Sequence, residues 1–133
     1  MQPENLFYAK THEWAYVETN AEGEQIATVG LSEFALEALT DLVFIDLPNV
    51  GDTVEAGESF GEIESVKAVS ALYSPVTGEI IAVNDSVRDR LETLGQDPYS
   101  GGWFVKIKFA GQEELDHLLD FTTYKKFCES EAH

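Results

Sequence analysis

The chain has 133 residues, of which 25 are acidic and 8 are basic, and its net charge is −17. This length suits one domain, and a hydrophobic fraction of 44% can fill one core, so disorder and two full domains are excluded. So acidic a protein repels the phosphates of nucleic acids and anionic membrane surfaces, which leaves basic protein faces as the expected partners.

The sequence contains no apolar run that approaches the ~20 residues needed to cross a bilayer. Its first residues also lack the basic and apolar segments of a signal peptide, so we expect neither membrane insertion nor export. Cys128 is the single cysteine and cannot form an internal disulfide, and the three histidines are scattered along the chain. No metal site is therefore predicted.

The first part of the chain predicts a hairpin, a helix and a core strand. Residues 12–18 and 25–30 have strand-like composition, and the turn residues between them indicate a hairpin. Ser32 is a predicted N-cap for a short helix that ends near Thr40. Residues 42–47 form a nearly continuous apolar run stopped by a proline, which predicts a strand in the core.

The middle of the chain predicts short strands separated by turns. Strand-sized segments occur at residues 53–55, 59–64, 70–73 and 79–83. Several short strands with regular turns indicate a sandwich or a small barrel. Residues 88–94 predict one or two helical turns, and residues 103–109 predict a strand that buries Val105, Ile107 and Phe109 on one face.

The C-terminal part predicts two helices, over about residues 112–131. Leucine and aromatic residues recur there at three- and four-residue steps, with Asp120 as the cap between the helices. Cys128 belongs to this apolar pattern and is expected to pack in the core. The whole chain, residues 1–133, is predicted to be one domain, with a β core over about residues 8–110.

A single cation, Lys67, lies between Lys10 and Arg88 among fifteen acidic residues. It could be an ordinary solvated side chain that pairs with Glu62 or Glu64. Its immediate neighbours, however, are small or uncharged, and the predicted strands on either side would place it at the tip of a hairpin. An exposed lysine on a rigid β scaffold suits the attachment of an acyl group as a swinging arm, which predicts a carrier.

A hypothesis from the enzyme class makes Ser65 a nucleophile and Lys67 its base. Such a base must be uncharged and desolvated, whereas the surrounding carboxylates favour the ammonium form. The glycines of residues 57–61 lack the spacing of a phosphate-binding or dinucleotide-binding loop. No catalytic residue is therefore predicted.

Six stretches of the chain match, in order, the signature of one known family. The most specific is Glu64-Ser65-Val66-Lys67-Ala68, followed by Ser74-Pro75-Val76-Thr77-Gly78-Glu79-Ile80. The others are Thr11-His12-Glu13-Trp14, Thr28-Val29-Gly30-Leu31, Val43-Phe44-Ile45-Asp46-Leu47-Pro48, Asp97-Pro98-Tyr99 with Gly102-Trp103, and Lys106-Ile107-Lys108. Over about residues 8–127 the chain resembles the glycine cleavage system H protein family of lipoyl carriers.

The resemblance implies a mainly β fold, a barrel-sandwich hybrid of two small sheets, with short helices and a C-terminal helical extension. It also implies lipoate attached as an amide to Lys67, with Glu64 and Gly78 read by the lipoate-attaching enzyme. Val66 and Ala68 stand where biotinyl carriers have methionines, which disfavours biotin as the cofactor.

The resemblance further implies a shuttle between enzymes. The lipoyl disulfide accepts the aminomethyl group when a pyridoxal-phosphate glycine decarboxylase releases carbon dioxide, and a tetrahydrofolate-dependent aminomethyltransferase takes the methylene. A flavin dihydrolipoyl dehydrogenase then reoxidises the dithiol, and the carrier itself catalyses no step. The alternative is a lipoyl relay that supplies lipoate to other complexes. A monomer is expected, in a bacterial cytoplasm or, for a trimmed eukaryotic protein, in the mitochondrial matrix.

In this family the loaded arm folds into a cleft of its own domain, which keeps the amine from water. The matching positions here are Thr11, Glu13, Leu31 and Cys128. Glu13 is predicted to be the main polar contact to the amine, and the alternative is a solvated strand residue. Ala71 and Ala38 replace an aspartate and a histidine of many relatives, so sheltering is expected to be weaker or to use other groups.

Overall fold

The computed structural model describes residues 3–39 and 41–131. In chain order the strands in these residues are β1 (Phe7–Tyr8), β2 (Glu13–Thr19), β3 (Gln25–Leu31), β4 (Leu42–Asp46), β5 (Thr53–Val54), β6 (Ser59–Ser65), β7 (Val69–Tyr73), β8 (Gly78–Val83) and β9 (Val105–Phe109). The α-helices are α1 (Glu33–Leu39), α2 (Ser86–Asp89), α3 (Glu92–Gln96) and α4 (Phe121–Glu131). Short 3₁₀-helices occupy Pro3–Asn5 and Gln112–Leu115.

The strands form two antiparallel sheets. The larger sheet has six strands in the order β1-β2-β3-β9-β8-β5, and the smaller has three in the order β4-β6-β7. The predicted hairpin of the first part of the chain is confirmed, because β2 pairs with β3 from Glu13 opposite Leu31 to Thr19 opposite Gln25. The mainly β fold of two small sheets with short helices and a C-terminal helix is likewise confirmed.

The main core lies between the two sheets. Val29, Ile80 and Ile107 from the larger sheet belong to the same buried cluster as Ile63 and Leu72 from the smaller one. Strand β9 buries alternate residues, as its two-residue period predicts. Burial of such aliphatic side chains stabilises the fold by roughly 1.5–3 kcal/mol each.

A second buried cluster joins α4 to the outer part of the larger sheet. It contains Leu6, Tyr8, Trp14, Tyr124 and Cys128. The predicted cap of α4 is confirmed, since Asp120 Oδ1 accepts a hydrogen bond of 2.8 Å from the backbone N–H of Thr123. The first of the two predicted C-terminal helices is only a 3₁₀-helix.

The helix predicted after Ser32 is present as α1. Ser32 Oγ accepts a 3.3 Å hydrogen bond from the backbone N–H of Ala35, as expected of an N-cap. Thr40, the expected end of this helix, lies outside the described residues. Within those residues, no helix combines the length and the apolar character that a membrane crossing requires.

The prediction that residues 42–47 form a core strand is wrong for most of the strand. Strand β4 lies at the edge of the smaller sheet, and Val43 and Phe44 are each more than half exposed. The register shifts between Leu42 and Phe44, so a β-bulge interrupts the alternation of side chains. Only Ile45 of this strand is buried.

Candidate functional site

Lys67 lies at the apex of the hairpin formed by β6 and β7. The turn is closed by a 2.8 Å hydrogen bond from the N–H of Ser65 to the carbonyl of Ala68. The Ser65 hydroxyl strengthens this closure, because its oxygen accepts a 3.1 Å hydrogen bond from the N–H of Ala68. The three residues of the apex, Val66, Lys67 and Ala68, are all exposed.

A hydrogen bond to the residue that precedes β4 also holds the lysine turn in place. The N–H of Val66 donates a 3.1 Å hydrogen bond to the carbonyl of Asp41, whose φ of 50° turns the chain into β4. In the described part of the chain, Lys67 forms no ion pair, so pairing with Glu62 or Glu64 is not observed. The backbone of the turn is thus fixed, while the ammonium group extends into solvent.

The geometry argues against Ser65 as a nucleophile activated by Lys67. The Ser65 hydroxyl is largely buried and exchanges hydrogen bonds with the backbone of Ala68, not with the lysine. A lysine that acts as a base must be uncharged and within hydrogen-bond reach of the hydroxyl. Among the described residues, no hydrogen bond joins the Ser65 hydroxyl to Lys67, because the hydroxyl is engaged with Ala68.

Glu64 lies directly before the turn, on the outer face of the smaller sheet. It is half-buried and stands opposite Phe44 of β4 and Val69 of β7. Its side chain is therefore close to the base of the lysine turn and accessible to another protein.

Gly78 lies in a different part of the molecule, at the start of β8. A Cβ atom here would clash with the carbonyl oxygen of Lys108 and lie 2.9 Å from Ile107 Cγ2. Close packing of β8 against β9 is therefore sufficient to require glycine. Recognition of Gly78 by a modifying enzyme stays a prediction.

Glu13 is fully buried at the start of β2 and links the two sheets. Its Oε2 accepts a 3.0 Å hydrogen bond from the backbone N–H of Tyr73, the last residue of β7. Its Oε1 accepts a short hydrogen bond from the hydroxyl of Thr11. The alternative that Glu13 is a solvated strand residue is wrong, because none of its surface is exposed.

This burial changes the ionisation of Glu13. Desolvation raises the pKa of its carboxyl group to about 7, against an ordinary value of 4.5, although the hydrogen bonds from Thr11 and Tyr73 act in the opposite direction. Glu13 therefore changes its charge near neutral pH.

The four predicted cleft residues do not form one group. Thr11 bonds to Glu13, and Leu31 is buried opposite Glu13 in the register of β2 and β3. Cys128 belongs to the cluster that contains Trp14, and Trp14 points to the opposite face of β2 from Glu13. Cys128 instead lines a cavity of about 400 Å³ between α1 and α4.

His12 connects the same segment to the C-terminal helix. Its Nδ1 lies 2.7 Å from the hydroxyl of Tyr124, which is also 2.6 Å from Ser32 Oγ. Its Nε2 lies 2.6 Å from a carboxylate oxygen of Glu131. Sequence reasoning missed this network, although the Tyr124 position within the apolar repeat of α4 indicated a buried face.

A β scaffold that fixes a short turn and exposes one lysine at its apex is the arrangement expected of lipoyl and biotinyl carrier domains. The comparisons with known proteins identify which member of this class is present. The family model described as "Glycine cleavage H-protein" matches residues 6–131.

Curated relatives match over nearly their whole length. The glycine cleavage system H protein of Rhodopirellula baltica is 51% identical over 98% of this chain and 96% of its own. That of Citrobacter koseri is 48% identical over 97% of both chains. A crystal structure of the H protein from Mycobacterium marinum superposes with a TM-score of 0.82 at 36% identity, covering 99% of this chain and all of that one. The chain belongs to the glycine cleavage H-protein family, the lipoyl shuttles of the glycine cleavage system.

Proposed function

We propose that Lys67 carries lipoate as an amide and that the protein is a non-catalytic shuttle. The observation that carries the proposal is the exposed Lys67 at the apex of a turn whose backbone is held by Ser65, Ala68 and Asp41. Lys67 can carry lipoate, because its ammonium group is accessible and none of the described residues covers it. When bound, lipoate supplies a disulfide that accepts an aminomethyl group and, as a dithiol, is reoxidised.

The proposed partners follow from membership of the glycine cleavage system. They are a pyridoxal-phosphate glycine decarboxylase, a tetrahydrofolate-dependent aminomethyltransferase, a flavin dihydrolipoyl dehydrogenase and the enzyme that attaches lipoate. The role of this chain is to present Lys67 at a fixed place while its own β scaffold stays rigid. We also propose a bacterial cytoplasm as its location, which the bacterial origin of its relatives supports.

Reconstitution with purified glycine decarboxylase tests the shuttle function. Lipoylated protein should support release of carbon dioxide from glycine, and the unmodified protein should not. A protein that accepts lipoate and passes it to other complexes, but does not support decarboxylation, would be the alternative relay.

Glu13 is the proposed contact for the protonated amine of the cargo. Its two oxygens each accept one hydrogen bond and retain a second lone pair, so the carboxylate can accept a further donor. Because Glu13 has no exposed surface, the side chains that cover it must move when the arm enters. A charge-assisted hydrogen bond at this place would contribute roughly 1.5–3 kcal/mol.

The decay of loaded protein measures this contact. We expect the methylamine load to be lost faster from Glu13→Gln than from the wild type, because an amide cannot supply the negative charge. Glu18→Gln, at the exposed end of the same strand, is the matched control and should decay at the wild-type rate. Equal decay in all three proteins would remove Glu13 from the sheltering of the arm.

The charge distribution predicts salt-dependent association with the decarboxylase. The segment from residue 11 to residue 87 contains fifteen acidic residues and one basic residue, Lys67. The other seven basic residues lie outside it. This segment should be attracted to basic rims on the partner, and such attraction is screened over ~8–10 Å at near-physiological ionic strength. Stopped-flow measurements should show that salt lowers the on-rate more than it raises the off-rate. An on-rate that does not change with salt would contradict electrostatic steering.

A further inference from the structure

Exposed apolar side chains surround the base of the lysine turn. Phe44 is 53% exposed and Val43 is 55% exposed, both on the edge strand β4. Val66 and Val69 on the two sides of Lys67 are 70% and 60% exposed. Single exposed apolar residues are ordinary, but a group of them beside a reactive position indicates a contact surface.

The register of the smaller sheet brings two of these residues, Phe44 and Val69, into one row with Glu64. Phe44 pairs with Glu64, and Glu64 pairs with Val69, so Phe44, Glu64 and Val69 lie side by side on the same face. Phe44 faces outward because the regular pairing of residues 44–46 alternates it with buried Ile45, and the β-bulge before it leaves Val43 exposed as well. We call Phe44, Glu64 and Val69 the outer row.

The charges beside the outer row select the kind of partner. Asp46 pairs with Glu62 in the next row, and both residues are exposed. Among residues 3–39 and 41–131, neither these two carboxylates nor Glu64 takes part in an ion pair. A second copy of a chain with a net charge of −17 would be repelled, whereas an apolar pocket rimmed by basic side chains would be complementary.

We propose that the outer row is the docking surface for the enzyme that acylates Lys67, a proposal that rests on the lipoyl function given above. In this step the Lys67 amine attacks the carbonyl carbon of a lipoyl adenylate. The new C–N bond replaces the bond to the phosphate oxygen, AMP leaves, and the amine proton passes to a base or to solvent.

The distance between the sheet and the reacting atom distinguishes the acylating enzyme from the other partners. For acylation, Lys67 Nζ itself must enter the active site, so the sheet face at the base of the turn must lie against the enzyme. Once lipoate is attached, the reacting sulfur atoms lie farther from the sheet by the length of the acyl chain. The outer row is therefore closest to the acylating enzyme and less constrained by the enzymes that act on the loaded arm.

Steady-state acylation kinetics test the outer row. The unmodified protein is the substrate of an ATP-dependent lipoate ligase, and incorporation is followed by intact mass. Phe44→Ser and Val69→Ser should each raise the KM for the carrier about tenfold with little change in kcat, because they remove buried apolar contact from the complex. Val50→Ser is the matched control, since Val50 is 64% exposed but lies beyond the far end of β4.

The outcomes separate this inference from the lipoyl function. Wild-type KM in both outer-row variants, with the wild type acylated on Lys67, would overturn the inference alone. A wild type that the ligase does not acylate on Lys67 would overturn both. After exhaustive loading, Phe44→Ser should lose less in the decarboxylase reaction than in acylation, and an equal or larger loss there would also overturn the proposal.

Discussion

Lys67→Arg should abolish lipoylation and reduce shuttle activity to that of the unmodified protein. An arginine keeps the charge and the length of the side chain, but its guanidinium stays protonated and does not form the amide. Because the side chain at this apex makes no ion pair within the described residues, the free energy of unfolding should change by less than about 0.5 kcal/mol. Intact mass, decarboxylase activity and urea unfolding measure the three quantities.

Lys10→Arg provides the control for this prediction. Lys10 is also exposed, but it lies outside the hairpin of β6 and β7. This variant should be lipoylated and active like the wild type. Residual lipoylation of Lys67→Arg would show that a second lysine accepts the group.

The second large effect concerns the pH dependence of stability. Burial raises the pKa of Glu13 to about 7 in the folded protein, compared with 4.5 for an ordinary glutamate. Between these two values the folded protein binds more protons at this site than the unfolded chain, so the free energy of unfolding falls as pH rises. The contribution is fully present below pH 4.5 and is lost as pH rises through 7. It amounts to roughly 3 kcal/mol at most.

Glu13→Gln should remove this pH dependence. The amide oxygen can accept the hydrogen bond from Tyr73, and the amide nitrogen can donate to Thr11, so both contacts of the wild type are retained. Above pH 7 the variant should therefore be more stable than the wild type, by about 1–3 kcal/mol. Urea unfolding followed through the fluorescence of buried Trp14 measures the difference at each pH.

Glu13→Ala separates the hydrogen bonds from the charge. It leaves the N–H of Tyr73 without its acceptor and should destabilise the protein by about 1–3 kcal/mol. The protein carries many other carboxylates, so only the difference between the wild type and Glu13→Gln isolates this site. Parallel stability curves for these two proteins would contradict a raised pKa for Glu13.

Local patterns were sufficient to predict much of the fold. The alternation in residues 105–109 predicted the buried face of β9, and Ser32 and Asp120 predicted the starts of α1 and α4. The hairpin that presents Lys67 was predicted from two strand-sized segments, with small or uncharged residues on both sides of the lysine between them. These features depend on neighbours in sequence, so the sequence contains their signal.

Features that depend on packing between distant segments could not be predicted in the same way. The exposure of Val43 next to exposed Phe44 depends on a bulge in the pairing of β4 with β6, which no local pattern records. The burial of Glu13 depends on Tyr73, sixty positions later in the chain. Cys128 is separated from Glu13 because Trp14, which packs with Cys128, lies on the opposite face of β2 from Glu13. Strand β1 has only two residues, which is too short to show an alternating sequence pattern.

Peptide mapping of the protein purified from its native host tests the central claim most directly. The account predicts the mass of an amide-linked lipoyl group on the peptide that contains Lys67 and on no other lysine. A lipoyl group found on Lys10, Lys106 or another lysine, or its absence from Lys67 in cells that make the complete glycine cleavage system, would contradict the account.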